Sequence, residues 1–169
     1  DTQAGVQVLE GTRGLPNQTL RVRFLGESFR LPVSRQMLGR VFDGLGRPAD
    51  GGAPALSADH RDVNGMPINP HARRYPREFI QTGLSAIDGM NALVRGQKLP
   101  IFSGNGLPHD RVSAQIIRQA RLLDASTEFS VVFAAMGVKH DVAEFFIRNF
   151  RESGALARAV MFFSLADAP

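Results

Sequence analysis

The chain has 169 residues, of which 43% are hydrophobic and 21% charged, and its formal net charge is +4. These values exclude global disorder and leave room for a core, because a domain of this size buries roughly 70% of its unfolded surface. The absence of cysteine excludes a disulfide framework and a thiolate metal site, and no apolar run reaches the roughly 20 residues that a membrane-spanning helix needs.

The first third of the chain is predicted to hold strands and turns. Residues 5–10 and 20–25 alternate partially between apolar and polar side chains, as half-buried strands do. Residues 14–17, Gly-Leu-Pro-Asn, have the chemistry of a turn between them. Because two strands alone are marginally stable, we expect them to belong to a larger β-domain.

Two stretches rich in Gly and Pro follow, at residues 43–54 and 64–76, and indicate a long connection or a linker rather than a helix. Arg73, Arg74 and Arg77 cluster at the end of the second stretch. Such a cluster is one feature of a nucleic-acid patch, but no stripe of basic and aromatic residues extends from it. A solvated loop or a subunit interface is therefore the better interpretation.

A short helix is predicted next. Ser85 and Asp88 have the spacing of a capping box, with Ser85 as the N-cap and Asp88 reaching back to it. The apolar face of this helix is predicted to consist of Ile87, Met90 and Val94.

From there the chain alternates between predicted strands and helices. A short strand at residues 98–102 leads into a Gly-rich loop at residues 103–108. A helix over residues 109–123 follows, because apolar residues recur in it at helical spacing. These residues are Val112, Ile116, Ala120 and Leu123.

The last part of the chain continues this alternation. The near-continuous apolar run at residues 129–136 is typical of a strand with both faces covered, and Gly137 is predicted to end it. A helix closed by Ser153-Gly154 comes next, and residues 159–163 form a third buried strand. The apolar side of this helix is predicted to consist of Val138, Val142, Phe145, Phe146 and Phe150.

This order of elements is that of two βαβ units, which build a parallel sheet. The predicted fold class is therefore α/β. Because the sequence stops at residue 169, directly after the third strand, little remains to cover that strand. We therefore expect the chain to be a piece of a longer one.

The Gly-rich loop has the setting in which α/β proteins bind phosphate, since backbone N–H groups and a helix N-terminus point at the anion. A working loop reads G-x-x-x-x-G-K-[ST], whose lysine reaches the phosphates and whose hydroxyl binds Mg²⁺. The matching residues here are Ser103, Gly104, Asn105, Gly106, Leu107, Pro108, His109 and Asp110.

Three substitutions disable this loop. Pro108 removes an N–H donor at the second glycine position, and His109, which is shorter and mostly neutral at pH 7, replaces the lysine. Asp110 replaces Ser or Thr, and its charge about 5 Å from a phosphate costs roughly 3 kcal/mol at an effective dielectric near 20. We predict a vestigial loop that requires no cofactor and binds ATP or ADP with Mg²⁺ weakly at most. The alternative is a plain βα turn.

Neither a catalytic residue nor a metal site is predicted. Glu128, Glu144 and Glu152 resemble strand-entry or helix-face charges rather than a base beside a phosphate loop. Three histidines are scattered and lack the spacing of metal ligands. They are His60, His71 and His140.

Several long motifs occur in order along the chain, at residues 37–46, 79–91, 95–98, 99–110, 132–137 and 163–169. Together they resemble the B subunits of rotary V/A-type ATPases, which are the non-catalytic subunits, and the similarity covers nearly the whole chain. Residues 99–110, LPIFSGNGLPHD, resemble the degenerate phosphate loop of that family.

The resemblance implies a RecA-like domain whose first part is residues 34–169, preceded by the end of an N-terminal β-barrel at residues 1–33. It implies that B subunits alternate with catalytic A subunits in a hexameric ring, with a central shaft and a peripheral stalk as further partners. The complex is expected at the cytoplasmic face of a membrane, without direct insertion of this subunit and without nucleic acid.

Two other functions are compatible with the fold class. An independent P-loop NTPase is disfavoured by the missing lysine. A ring-type nucleic-acid motor using Arg73, Arg74 and Arg77 would bind single strands in a salt-dependent way. We prefer the ring subunit, which transmits conformational change between catalytic neighbours while ATP is hydrolysed or made.

Overall fold

The computed structural model describes residue 8 and residues 11–16, 18–75, 77–123 and 128–167. The strand predicted at residues 5–10 lies, apart from Val8, outside the described residues. Within the described ranges, none of the helices is both long and apolar enough to cross a membrane.

Short strands and helices alternate along the described chain. The strands are β1 (Arg30–Pro32), β2 (Val41–Asp43), β3 (His60–Asp62), β4 (Phe79–Gln81), β5 (Leu93–Val94), β6 (Arg121–Leu122), β7 (Val131–Val138) and β8 (Ala159–Leu165). The helices are α1 (Ser85–Met90), α2 (His109–Gln119) and α3 (His140–Glu152), with single 3₁₀ turns at Arg35–Met37, Pro70–Ala72 and Ala155–Arg158.

The strands form one parallel sheet, in the order β2-β8-β7, and two small antiparallel sheets, β1-β3 and β5-β4-β6. The parallel sheet confirms the predicted α/β class, since β7, α3 and β8 form a βαβ unit. The antiparallel sheets were not predicted. The β1-β3 pair joins residues on both sides of position 33, and the division of the chain at residue 33 stays a prediction.

Strand β8 is the centre of the parallel sheet. Its other neighbour is β2, which pairs with it in parallel register from Val41 opposite Met161 to Asp43 opposite Phe163. Ala159 and Met161 are fully buried. The expectation that little would cover this strand was therefore wrong, because a segment more than a hundred residues earlier in the chain covers one edge.

A cluster of phenylalanines joins α3 to the parallel sheet. The ring of Phe133 in β7 lies 4.6 Å from Phe146 and 5.4 Å from Phe150, both on α3, and 5.7 Å from Phe163 in β8. Ala143, Phe146 and Phe150 are buried at the spacing of one helix face. The predicted apolar side of this helix is confirmed except at Val138, which belongs to β7.

Strand β7 is covered on one face rather than both. Val132 is 71% exposed and Met136 is also exposed, while Ala135 is buried against α3. Gly137 does not end the strand, because it lies at a register shift between Met136 and Val138 and has a φ of 66°. Such a bulge lets the strand continue after a local kink.

Two predicted strands are not formed. Residues 20–25 and 98–102 have no strand structure, and Phe24 and Phe102 are 76% and 91% exposed. Alternating or apolar side chains indicate which faces a strand would bury, but a strand also needs a backbone partner. Pro100 further removes one N–H donor from the second segment. A turn forms at Thr12–Leu15, whose ends are joined by a backbone hydrogen bond of 3.1 Å, two residues before the turn predicted at residues 14–17. Asn17 lies outside the described residues.

Helix α2 ends four residues earlier than predicted, at Gln119. Ala120 leaves the helical conformation with a ψ of 126°, and the next two residues form β6 against β4. The guanidinium of Arg158 donates to the carbonyl oxygens of Ile117, Arg118 and Ala120 at 3.2, 3.4 and 3.3 Å. A cation at the carbonyl end of a helix satisfies its unpaired acceptors, so Arg158 fixes where α2 stops.

Helix α1 begins differently from the prediction. Its N-cap is Leu84 rather than Ser85, and Asp88 reaches back beyond both, accepting hydrogen bonds from the backbone N–H and hydroxyl of Thr82. The hydroxyl of Thr82 and then its N–H lower the pKa of Asp88. Of the apolar face predicted for this helix, Met90 is exposed and Val94 lies in β5.

The first Gly- and Pro-rich connection is held by an ion pair, and its predicted lack of helix is confirmed. Two guanidinium nitrogens of Arg40 donate to the two carboxylate oxygens of Asp50 at 2.9 and 2.8 Å. The guanidinium, followed by the N–H groups of Gly52 and Val41, holds the pKa of Asp50 well below its ordinary value, and partial burial opposes this.

This ion pair predicts a pH dependence of stability. The pKa of Asp50 is lower in the folded chain than the usual value of about 3.9. The ionised carboxylate therefore stabilises the fold fully at pH values above about 3.9, and this stabilisation is lost progressively as the pH falls below it. Asp50→Asn should lower the urea midpoint at pH 7, and the difference from wild type should shrink below about pH 4. Asp59→Asn, which removes an exposed partner of Arg61, should have little effect at either pH.

Candidate functional site

The predicted phosphate loop is a turn on the surface of the chain. The N–H of Leu107 donates to the carbonyl of Gly104 at 3.3 Å, and Gly106 has a φ of 82°. Glycine suits this position because a side chain disfavours positive φ. Residues 100–109 are all exposed. The loop is therefore where the sequence predicted it, although residues 98–102, which lead into it, do not form a strand.

The start of α2 uses a donor that a phosphate loop would offer to its ligand. Pro108 is the N-cap and contributes no N–H, and the N–H of His109 donates to the carbonyl of Leu107 at 2.9 Å. Nδ1 of His109 lies 3.0 Å from the same oxygen. Because a carbonyl only accepts, this contact requires a proton on Nδ1. The imidazole is thus turned back onto its own loop.

Asp110 places a carboxylate in the first turn of α2. A negative charge is stabilised there by the partial positive charge of the helix N-terminus, which is the same field that would attract a phosphate. The side chain of Asp110 is 36% exposed, and its Oδ1 lies 3.6 Å from Nε2 of His109. The chain's own carboxylate therefore competes with an external anion for this end of the helix.

A second carboxylate lies beside the loop, and the sequence did not reveal this. A hollow of about 240 Å³ is lined by Pro108, Asp110, Arg111, Asp141, Val142 and Phe145. Asp141 is in the first turn of α3, and its Oδ1 accepts the N–H of Val142 at 3.0 Å. One feature of the sequence could have indicated that the two carboxylates lie close together. Asp110 and Asp141 both occupy the first turns of consecutive helices.

The remaining sequence candidates lie elsewhere. Glu128 lines a different hollow, next to Phe129 and Arg158, and Glu144 and Glu152 are exposed on α3. Three histidines are placed on separate elements, and no group of three or more potential metal ligands occurs in the described ranges. These histidines are His60 in β3, His71 in a 3₁₀ turn and His140 in α3.

Comparison with known proteins places this loop in a family. Residues 83–169, which are more than half of the chain, match the ATP synthase alpha/beta family, nucleotide-binding domain. The chain belongs to the ATP synthase alpha/beta family. The match begins just before α1 and includes the loop, α2, α3 and the two long strands of the parallel sheet.

Relatives of this ATP synthase alpha/beta family member share most of its sequence. It is 59% identical over 98% of its length to the B subunit of the A-type ATP synthase of Methanopyrus kandleri, of which it spans 17%. It is 60% identical over 97% of its length to the V-type ATP synthase beta chain 2 of Treponema pallidum, of which it spans 34%. The resemblance to V/A-type B subunits is confirmed.

A solved structure supports the same relationship. The ATP synthase subunit NeqB from Nanoarcheaum equitans superimposes with a TM-score of 0.70 at 37% sequence identity, over 82% of this chain and 32% of that one. This family member thus spans about a third or less of each of these three proteins.

Proposed function

We propose that the chain is part of the non-catalytic B subunit of a rotary V/A-type ATPase or ATP synthase. Its high identity to proteins named as the B subunits of A-type ATP synthases and the beta chain of a V-type one supports this assignment. The chemistry of its loop supports the absence of catalysis. The observation that carries the proposal is the start of α2, where Asp110 occupies the end of the helix that would otherwise receive phosphate.

The loop has three separate deficits for nucleotide hydrolysis. It lacks the ammonium group that would bind the β- and γ-phosphates. The N–H of His109 already donates to the carbonyl oxygen of Leu107 and is not available to a ligand. The two carboxylates that line the hollow beside it, those of Asp110 and Asp141, repel a polyphosphate. Each of these deficits weakens the binding of nucleotide. The loop therefore binds ATP or ADP with Mg²⁺ weakly at most, and the charge of a Mg²⁺ ion bound with the nucleotide would reduce the repulsion from Asp110.

The proposed role of the chain is mechanical. Residues 34–169 are the first part of a RecA-like domain, and residues 1–33 are the end of an N-terminal β-barrel. The phenylalanine cluster between α3 and the parallel sheet makes one packed unit of β7, α3 and β8, and packed units move as bodies rather than deform. Such a unit transmits displacement from one catalytic A subunit to the next around an alternating hexamer.

The location and partners follow from this assignment. The protein is peripheral, at the cytoplasmic face of a membrane, and it reaches the membrane through the central shaft and peripheral stalk. Hydrolysis or synthesis of ATP takes place on the neighbouring A subunits, which are the catalytic members of the ring.

Assembly and turnover together test the proposal. The intact protein alone is expected to hydrolyse MgATP no faster than buffer. Mixed with an A-type partner that has an intact phosphate loop, it is expected to form a hexamer with equal numbers of both chains, as measured by native mass spectrometry. Turnover by the protein alone would contradict the non-catalytic role, and a hexamer of this protein alone would contradict its place in an alternating ring.

A further inference from the structure

A basic hollow lies away from the phosphate loop, between the second Gly- and Pro-rich connection and the β4-β5 pair. It has a volume of about 600 Å³, and we refer to it as the arginine hollow. Its four arginines and one glutamate give it a formal charge of +3. Its lining residues are Arg73, Arg74, Tyr75, Arg77, Glu78 and Arg95.

Hydrogen bonds hold both sides of the arginine hollow. On one side, the N–H of Arg95 donates to the carbonyl of Glu78 at 2.8 Å, next to the pairing of Phe79 with Val94. On the other side, the N–H of Arg73 donates to the carbonyl of Pro70 at 3.2 Å and closes a 3₁₀ turn. Two of the four arginines, Arg73 and Arg95, are therefore held by hydrogen bonds of their own backbone.

Three of the four guanidinium groups lack an acceptor within the part of the chain that the structure describes. Arg95 donates to Oε2 of Glu78 at 2.9 Å, whereas Arg73, Arg74 and Arg77 form no ion pair or side-chain hydrogen bond with any described residue. Like charges that line the same hollow repel each other, and an anion bound among them reduces this repulsion. The hollow is thus prepared for a ligand with more than one negative charge.

We propose that the arginine hollow binds an acidic segment of a partner protein, with two or more aspartate or glutamate side chains. The contact between Arg95 and Glu78 shows that a carboxylate reaches a guanidinium inside the hollow at hydrogen-bonding distance. Guanidinium groups match carboxylates in geometry and bind them through bidentate pairs of hydrogen bonds. A volume of about 600 Å³ suits a few side chains, since pockets for small ligands have roughly 300–1,000 Å³.

An acidic protein segment fits this surface better than nucleic acid does. Proteins that bind single strands combine a basic track along the backbone with several aromatic side chains on which bases stack. Tyr75, which is 91% exposed, is the single aromatic residue among those that line the hollow. Arginine and tyrosine are also among the residue types that contribute most to protein–protein interfaces.

Binding of a defined acidic peptide tests this site on the intact protein. The probe is fluorescein-labelled hexaglutamate, and its dissociation constant is measured by fluorescence anisotropy at low salt. The triple variant Arg73→Gln, Arg74→Gln, Arg77→Gln is expected to bind the peptide at least about tenfold more weakly, because it loses three charge-assisted contacts. The matched control Arg118→Gln, Arg148→Gln, Arg151→Gln removes the same charge from positions outside the hollow, and it should change the affinity less than about twofold.

Each alternative result overturns the proposal. An equal loss in both triple variants would show diffuse attraction to the whole surface, and absence of hexaglutamate binding to the wild type would exclude the site. Tighter binding of a single-stranded oligonucleotide, lost only in the hollow variant, would assign the hollow to nucleic acid instead. Thermal unfolding of both variants verifies that they fold. The measurement involves neither nucleotide nor an A-type partner, so its failure leaves the proposed function untouched.

Discussion

The variant Pro108→Gly, His109→Lys, Asp110→Thr is expected to bind MgATP about ten- to a hundredfold more tightly than wild type. The lysine adds a charged contact to phosphate worth about 1.5–3 kcal/mol, and the glycine returns an N–H donor. Removal of Asp110 relieves a repulsion of about 3 kcal/mol at an effective dielectric near 20. Because its side chain is 36% exposed, solvent screens part of that repulsion, so the measured gain is smaller than the sum. Isothermal titration calorimetry measures the change.

The control for this variant makes the same change in net charge at positions outside the loop. Glu27→Gln with Glu152→Gln removes two exposed negative charges and should leave the affinity nearly unchanged. If the loop variant binds no better than this control, the loop is not what limits nucleotide binding. Asp141→Asn added to the loop variant should tighten binding further, since Asp141 lines the hollow beside α2.

Phe150→Ala is expected to lower the free energy of unfolding by about 3–5 kcal/mol. The side chain is 1% exposed, and its ring lies 5.4 Å from Phe133 and 6.5 Å from Phe146. Its removal leaves a cavity between α3 and β7 that the surrounding rings cannot fill. Urea unfolding of the chain, followed by circular dichroism, measures the loss.

Phe102→Ala is the matched control. It also distinguishes the strand predicted from the sequence at residues 98–102 from the exposed segment in the structure. A buried strand at residues 98–102 would make this substitution about as harmful as Phe150→Ala. The structure leaves Phe102 91% exposed, so the free energy of unfolding should change by less than about 0.5 kcal/mol. A loss of several kcal/mol in Phe102→Ala would show that this segment is packed.

The elements that were predicted correctly are those with a strong local signal. Helix α3 combines apolar residues at helical spacing with a glycine that ends it, and Gly154 has a φ of 73° directly after the C-cap. The loop at residues 103–108 was found from its glycines, which permit a turn wherever they occur. The family motifs, which are also local stretches of sequence, indicated the family to which the chain belongs.

The misplaced elements are those whose structure depends on a distant partner. Residues 98–102 have a strand-like sequence but no partner, while β6 forms in a segment predicted as helix because β4 lies beside it. The end of α2 is set by Arg158, which is 38 residues beyond Ala120 in the chain. The position of Asp141 beside the loop likewise follows from the packing of two helices.

By itself the sequence determined the α/β class, the family, the position of the Gly-rich loop and the absence of a lysine at residue 109. The periodicity of apolar residues and the chemistry of each side chain depend only on neighbouring positions, so they can be read from the sequence alone. Only the tertiary structure decided which strands pair, where α2 ends, which face of β7 is covered and which charges share a hollow. Hydrogen bonds between strands and contacts between helices join residues far apart in sequence, so no local pattern specifies them.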